Sequence, residues 1–216
     1  MNGLLIKDLC LSFQNNRNLF LYVGICFFMG FSMGGSFIIG YAAMVFGIMA
    51  LSTINYDELE NGYQFLMSLP ADRKTYVTEK YVFCLLMEII GTIIGAVTYF
   101  VTSTIKGETI ELQYELIFSV RILAVSFIII SFMIFIDLKY GAEKSRLALF
   151  LIYGVIAVIR FAVVKIPVLQ NAFGNLLDAL DKMSPAEVAA GFAAVGIIIE
   201  LAFYSRTVRM MEKKEF

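Results

Sequence analysis

Four charged side chains stand inside long apolar runs of this chain: Glu88, Arg121, Arg160 and Glu200. A charge placed mid-bilayer costs about 2.5–3.5 kcal/mol or more, so such groups line a polar cavity, pair, or snorkel toward the headgroups. At 1.5 Å of rise per helical residue, Glu88 lies about 10 Å and Glu200 about 8 Å from one membrane face. Arg121 and Arg160 lie about 9–10 Å from the other. Acids at one level and arginines at another are candidate polar stations of a path through the membrane. Snorkelling or purely structural pairing is the competing reading, and it is strongest for the long-stemmed arginines. Other chemistry is sparse. The absence of histidine removes His-based acid–base catalysis, His metal sites and Ser–His pairing. Cys10, Cys26 and Cys84 are odd in number and lack metal-ligand spacing, so they read as small apolar fillers. No catalytic residue and no metal site is assigned.

A second concentration of charge is DELENGYQFLMSLPADRKTYVTEKYVF, residues 57 to 83. Asp57 followed three residues on by Glu60 resembles a capping box, which predicts a helix starting at Glu58. Pro70 disfavours helical geometry at Leu69 and ends it there. Asp72 is then placed to cap a new helix that runs through Arg73 into the next apolar run. A short helix presenting Tyr63, Phe65, Leu66 and Met67 beside Asp57, Glu58 and Glu60 fits one half of a protein–protein joint. The alternative is that these apolar residues fold back onto the bundle or rest in the lipid interface.

The elements that hold these residues follow from composition. Hydrophobic residues make up 60% of the 216 and charged residues 16%, with a mean hydropathy of +0.81. Soluble domains sit near 45–50% apolar and about 25% charged, so the bilayer is the main solvent. The net charge of −1 and the lack of a basic run give no sign of a nucleic-acid partner. The fold class is all-α, an integral membrane protein. Crossing roughly 30 Å of hydrocarbon takes about 20 apolar residues, and six stretches qualify: about 18–34, 37–56, 81–103, 115–136, 147–166 and 186–205. Gly34 and Gly35 supply the first turn. Gly91 and Gly95 fall on an apolar helix, where small residues permit close packing. Ser184, Pro185 and Glu187 mark the start of the sixth stretch as N-cap, first turn and capping-box partner.

Ahead of the spans, Leu5, Leu9 and Phe13 recur every four residues and predict an interfacial helix over 3–16, with Lys7 on another face. Between the fifth and sixth spans, Phe173, Leu176, Leu177 and Leu180 fall at helical intervals. Lys and Arg concentrate in the loops on one side, which places both termini in the cytoplasm and makes 57–80 a cytoplasmic segment.

Two loops carry a family resemblance. Ser68-Leu69-Pro70 after an acidic stretch, Arg73-Lys74, and Lys80-Tyr81 entering the helix resemble the type-2 ABC exporter permeases. So does a Gly-then-basic loop at 139–146 formed by Gly141, Lys144 and Arg146. Small size and the Ser-Leu-Pro segment look most like the small bacterial permeases that include the phenol-soluble modulin exporters. The resemblance implies a multi-pass subunit of a bacterial cell membrane. It implies that 57–69 is a cytoplasmic coupling helix on a separate nucleotide-binding ATPase, with Lys144 of the second inner loop beside it. It further implies that two permease subunits, identical or different, form the pathway.

No GxxxxGK[ST] phosphate loop occurs here, so no cofactor is expected to bind this chain directly. ATP and Mg are expected to act through the partner ATPase. The expected function is outward movement of an amphipathic or hydrophobic substrate, such as a peptide, an antibiotic or a lipid-like molecule. Glu88, Glu200, Arg121 and Arg160 are then its candidate pathway residues. The alternative is a substrate-binding membrane subunit or receptor that transports nothing itself.

Overall fold

Why these residues form helices follows from the absence of water along most of their length. In hydrocarbon every backbone N–H and C=O must be satisfied within the segment, and a helix does this without a partner. The computed structural model describes residues 2–13, 16–33, 36–58, 72–110, 112–166, 170, 171, 174 and 184–214. Among them are seven helices and no strand: α1 (Asn2–Phe13), α2 (Asn16–Met33), α3 (Phe37–Glu58), α4 (Arg73–Lys106), α5 (Leu112–Tyr140), α6 (Ala142–Lys165) and α7 (Pro185–Lys213). Five of these, α3 to α7, are long and apolar enough to cross a membrane, whereas α2 offers a shorter apolar stretch, Phe20–Ser32.

Several helices outrun their apolar stretches. α4 begins eight residues before the apolar run that starts at Tyr81, α5 continues past Asp137 and Lys139, and α7 runs to Lys213. The segment 139–146, expected as a loop, is two helix ends joined at Gly141. Gly141 has φ +86°, which L side chains rarely adopt, and a Cβ there would meet a Glu58 carboxylate oxygen at 2.8 Å. The expected helix start at Glu58 is also corrected, because Asp57 and Glu58 form the last turn of α3. Two starts fall where expected. Asp72 occupies the N-cap position of α4, without a side-chain capping bond. Ser184 and Glu187 complete a reciprocal capping box at α7, with Ser184 N–H donating to Glu187 Oε2 at 2.8 Å.

The core lies between α3, α4 and α5 and is closed by α7. Gly91 and Gly95 of α4 face α3 directly. A Cβ on Gly91 would stand 2.6 Å from the Ala42 carbonyl oxygen, and one on Gly95 would stand 2.8 Å from Ile39 Cα. Small residues thus let two backbones approach where lipid offers no hydrophobic drive for association. Cys26 and Cys84 are buried and Cys10 is exposed, all as free thiols.

Both described chain ends lie at one end of the bundle, here called the base. Arg73 Nη1 donates to the carbonyls of Met211, Glu212 and Lys214, and Lys214 Nζ donates to the Leu138 carbonyl. At the far end Lys106 Nζ donates to the Gly30 carbonyl, which places the C-terminal turns of α2 there. There Glu115 takes hydrogen bonds from Tyr99 at 2.9 Å and Ser36 at 2.7 Å, tying α4 and the start of α3 to α5.

Candidate functional site

The base holds a cluster of ionised side chains that only the folded chain assembles. Lys80, about two turns into α4, is fully buried. Its ammonium pairs with Asp8 of α1, lies 2.7 Å from Asp57 of α3 and donates to Thr53 at 3.2 Å. Lys7 joins from the rim, pairing with Asp57 and lying 3.1 Å from Asp8. The Tyr76 hydroxyl donates to Asp57 Oδ2 at 3.0 Å, and Lys80 also sits 5.3 Å above the Tyr76 ring. Glu79 is buried beside them, 3.9 Å from Lys80, with neither carboxylate oxygen hydrogen-bonded among the described residues. Charges this far from water persist only when mutually paired. The cluster therefore fixes α1, the end of α3 and the start of α4 to one another.

Those last two helix ends flank segment 59–71. Of the residues expected at the ATPase joint, Glu60, Tyr63, Phe65, Leu66 and Met67 lie outside the described residues. Asp57 is not on an exposed acidic face as expected; it is 6% exposed and spent on Lys7, Lys80 and Tyr76. Glu58 is exposed and reaches Gly141, while Lys144 stands exposed with its ammonium 5.2 Å over the Tyr140 ring. Glu58 and Lys144 thus share the corner between α5 and α6. Helix α1 differs from the expected amphipathic helix in one respect. Leu5 and Phe13 pack on the core, but Leu9 is exposed and the buried member of the inward face is Asp8. Sequence reading missed Asp8 because an acid on a surface helix ordinarily faces water.

The four intramembrane charges separate into two groups. Glu88 is fully buried on α4, accepts a hydrogen bond from Ser126 of α5 at 3.3 Å, and packs against Gly47 of α3. Glu200 of α7 accepts from Ser131 of α5. Each acid keeps one buried oxygen, Oε1, without a hydrogen-bond partner among the described residues. Ser126 and Ser131 are five residues apart, roughly 140° around α5, so the two acids serve different sides of that helix.

Ser126 lines a cleft of about 310 Å³ between α3, α5 and α6, with Gly40, Tyr41 and Tyr153. Glu200 lines a groove between α4, α5 and α7. The arginines are not brought to them. Arg121 is half-buried with its Nε unpartnered, and Arg160 is exposed on α6 without a hydrogen bond or ion pair among the described residues. The serines that hold the acids carried no signal that composition could expose.

Lys80 and Tyr81, adjacent in sequence, point to different partners. Tyr81 hydrogen-bonds Thr207 at 3.0 Å and stacks edge-on against Tyr204 of α7, which in turn bonds Thr78 at 2.8 Å. One step along α4 therefore joins the ion cluster to a polar seam with α7. The external segment around Phe173, Leu176, Leu177 and Leu180 lies outside the described residues. A family model described as ABC-2 family transporter protein matches residues 3–212. No curated protein and no solved structure matches the chain. Helices of crossing length, interior carboxylates and a match across nearly the whole chain lead to one assignment: the chain belongs to the ABC-2 transporter family, as a membrane-spanning transport component.

Proposed function

We propose that this chain is the permease subunit of an ATP-driven exporter, crossing the bacterial cell membrane six times with the base in the cytoplasm. Two such subunits form the pathway, and each seats a separate P-loop ATPase through segment 57–69, with Lys144 beside the joint. The ATPase binds ATP and Mg and closes on them. Closure shifts the permease between two states, since a ligand moves such an equilibrium by its differential affinity for them. The substrate is amphipathic or hydrophobic, and Glu88 and Glu200 stand along its path.

The observation that carries this reading is the ion cluster at the root of 59–71. Within a chain of transporter family, the two helix ends that flank this segment are locked to each other and to α1 through buried charges. Displacement of a segment rooted in a rigid base is delivered to the spans instead of being absorbed by fraying helix ends. Glu58 extends the contact to the α5–α6 corner at Gly141.

The test is co-purification with the ATPase. The permease, tagged and extracted in mild detergent, should bring down a P-loop ATPase, as a receptor without transport activity would not. Phe65→Asp and Leu66→Asp should keep the permease inserted but lose the ATPase, because a carboxylate forced into an apolar contact costs a few kcal/mol. Retention of the ATPase at parental stoichiometry by both variants would reject 57–69 as the joint.

A further inference from the structure

The groove beside Glu200 has a chemical preference that the proposed function leaves open. It consists of two adjoining hollows of about 280 and 230 Å³, which share Leu85, Phe127, Glu200 and Leu201. Together they follow α7 from Ala193 to Tyr204, about 16 Å of helix, and reach the size range of small-molecule sites, roughly 300–1,000 Å³. The walls are apolar over almost their whole extent. Glu200 is the one charged residue among those lining either hollow.

The polar groups near Glu200 are already committed. Tyr81, Tyr204 and Thr78 spend their hydroxyls on Thr207 and on each other. Ser131 donates to Glu200 Oε2. Among the described residues, Glu200 Oε1 is buried and accepts nothing, and no lysine or arginine forms an ion pair with it. A carboxylate so placed is an unmet acceptor in an apolar setting, which is costly until a donor arrives. The terminal torsion of a glutamate is broad, so a modest rotation turns Oε1 toward the groove.

We infer that this groove binds amphipathic cations, seating an apolar body along α4, α5 and α7 and placing an ammonium N–H on Glu200. The aromatic rings of Phe127, Tyr81 and Tyr204 line the same groove and favour a cation over a neutral group. The same carboxylate repels anionic amphiphiles, so fatty acids and acidic lipids are rejected by an explicit unfavourable contact. The inference rests on the export reading only in making this ligand class the substrate; the binding preference itself belongs to the permease alone.

The experiment uses the full chain in zwitterionic nanodiscs, without the ATPase. Retention of decylammonium, decanol and decanoate is measured by equilibrium dialysis, with empty nanodiscs subtracted. A hydrogen bond to a charged partner contributes about 1.5–3 kcal/mol, which is about tenfold to a hundredfold in affinity. The parent should therefore hold decylammonium at least about tenfold more tightly than decanol, and decanoate more weakly than either. Glu200→Gln should bring decylammonium and decanol to within about twofold, at unchanged thermal stability.

Equal retention of all three by the parent would overturn the assignment, and this result needs no variant to be folded. A preference that survives Glu200→Gln would overturn it as well. Adding the ATPase separates the two readings. Selective binding without stimulated hydrolysis leaves the groove standing and removes its export role. Transport by the complex without selective binding removes the groove and leaves the export role.

Discussion

Replacing Lys80 with methionine removes the cation at the centre of the base while keeping its apolar stem. Before the change, Lys80 and Lys7 face Asp8, Asp57 and Glu79. Afterwards Lys7 alone faces Asp8 and Asp57, beside Glu79, whose carboxyl pKa burial pushes up to about 8, and Lys7 is the one member of the cluster with substantial exposure, its side chain 30% accessible. Asp8 also loses its buried cationic partner, retaining the Thr53 hydroxyl at 3.1 Å and Lys7. Breaking a buried ion pair by deleting one partner costs about 3–5 kcal/mol. At about 2–4 °C per kcal/mol for a chain of this size, the unfolding midpoint should fall by roughly 6–20 °C. The assay is loss of the monodisperse peak on fluorescence-detected size exclusion after heating in detergent. The double variant Asp8→Asn with Lys80→Met removes one stranded charge, so it should be more stable than the sum of the single effects by about 0.5–3 kcal/mol. Additive single effects, or a midpoint that Lys80→Met leaves unmoved, would refute the argument that the cluster holds the base together.

Three further outcomes are expected. In a cysteine-free background, single cysteines at positions 3, 64, 142 and 214 should resist an impermeant maleimide in intact cells, while those at 108 and 178 react; labelling at 142 without lysis would invert the topology. Gly91→Ala and Gly95→Ala each drive a methyl into α3 backbone at under 3 Å, which should cost about 1–3 kcal/mol and be visible in the same heating assay. In the reconstituted complex, Glu88→Gln and Glu200→Gln should lower substrate-stimulated ATP hydrolysis and spare basal hydrolysis, with Arg121→Gln and Arg160→Gln doing less; parental stimulation in both acid variants would make those acids structural.

The sequence was most informative where hydropathy and local chemistry coincide. Five of the six apolar runs fall on helices long and apolar enough to cross a membrane, and Ser184-Pro185-Ala186-Glu187 encodes its capping box within four residues. Gly91 and Gly95 were readable as a packing face because they are the two glycines of that helix and, four residues apart, fall on one side of it. Helix ends were less legible. Hydropathy reports where lipid must be satisfied, whereas the hydrogen-bond ladder continues into water as far as propensity and tertiary contacts allow. Thus α4 starts at Arg73 and α7 reaches Lys213, each held by the bonds between Arg73 and the carbonyls of Met211, Glu212 and Lys214.

The ion cluster was illegible for a different reason. Asp8, Asp57 and Lys80 are separated by up to 72 residues, and each has an ordinary solvent-facing interpretation on its own. Only the meeting of three helices converts them into buried partners. The same holds for Ser126 and Ser131, which look like incidental small residues in an apolar span until Glu88 and Glu200 reach them.

Helix α4 carries 34 residues without a proline, about 51 Å of continuous helix against roughly 30 Å of hydrocarbon. It behaves as a rod, and its tightest bearing is the glycine contact on α3. From Arg73 to Gly91 the rod extends about 27 Å, and from Gly95 to Lys106 about 16 Å. Because Lys80 and Tyr76 lock the start of α4 to Asp57 at the end of α3, the two helices are joined at the base as well as at the glycine contact, and they move as one stiff body instead of turning on each other. At the far end Tyr99 of α4 and Ser36 at the start of α3 both donate to Glu115 of α5. A push at the base is therefore handed through the joined pair to the start of α5, with no hinge needed between them.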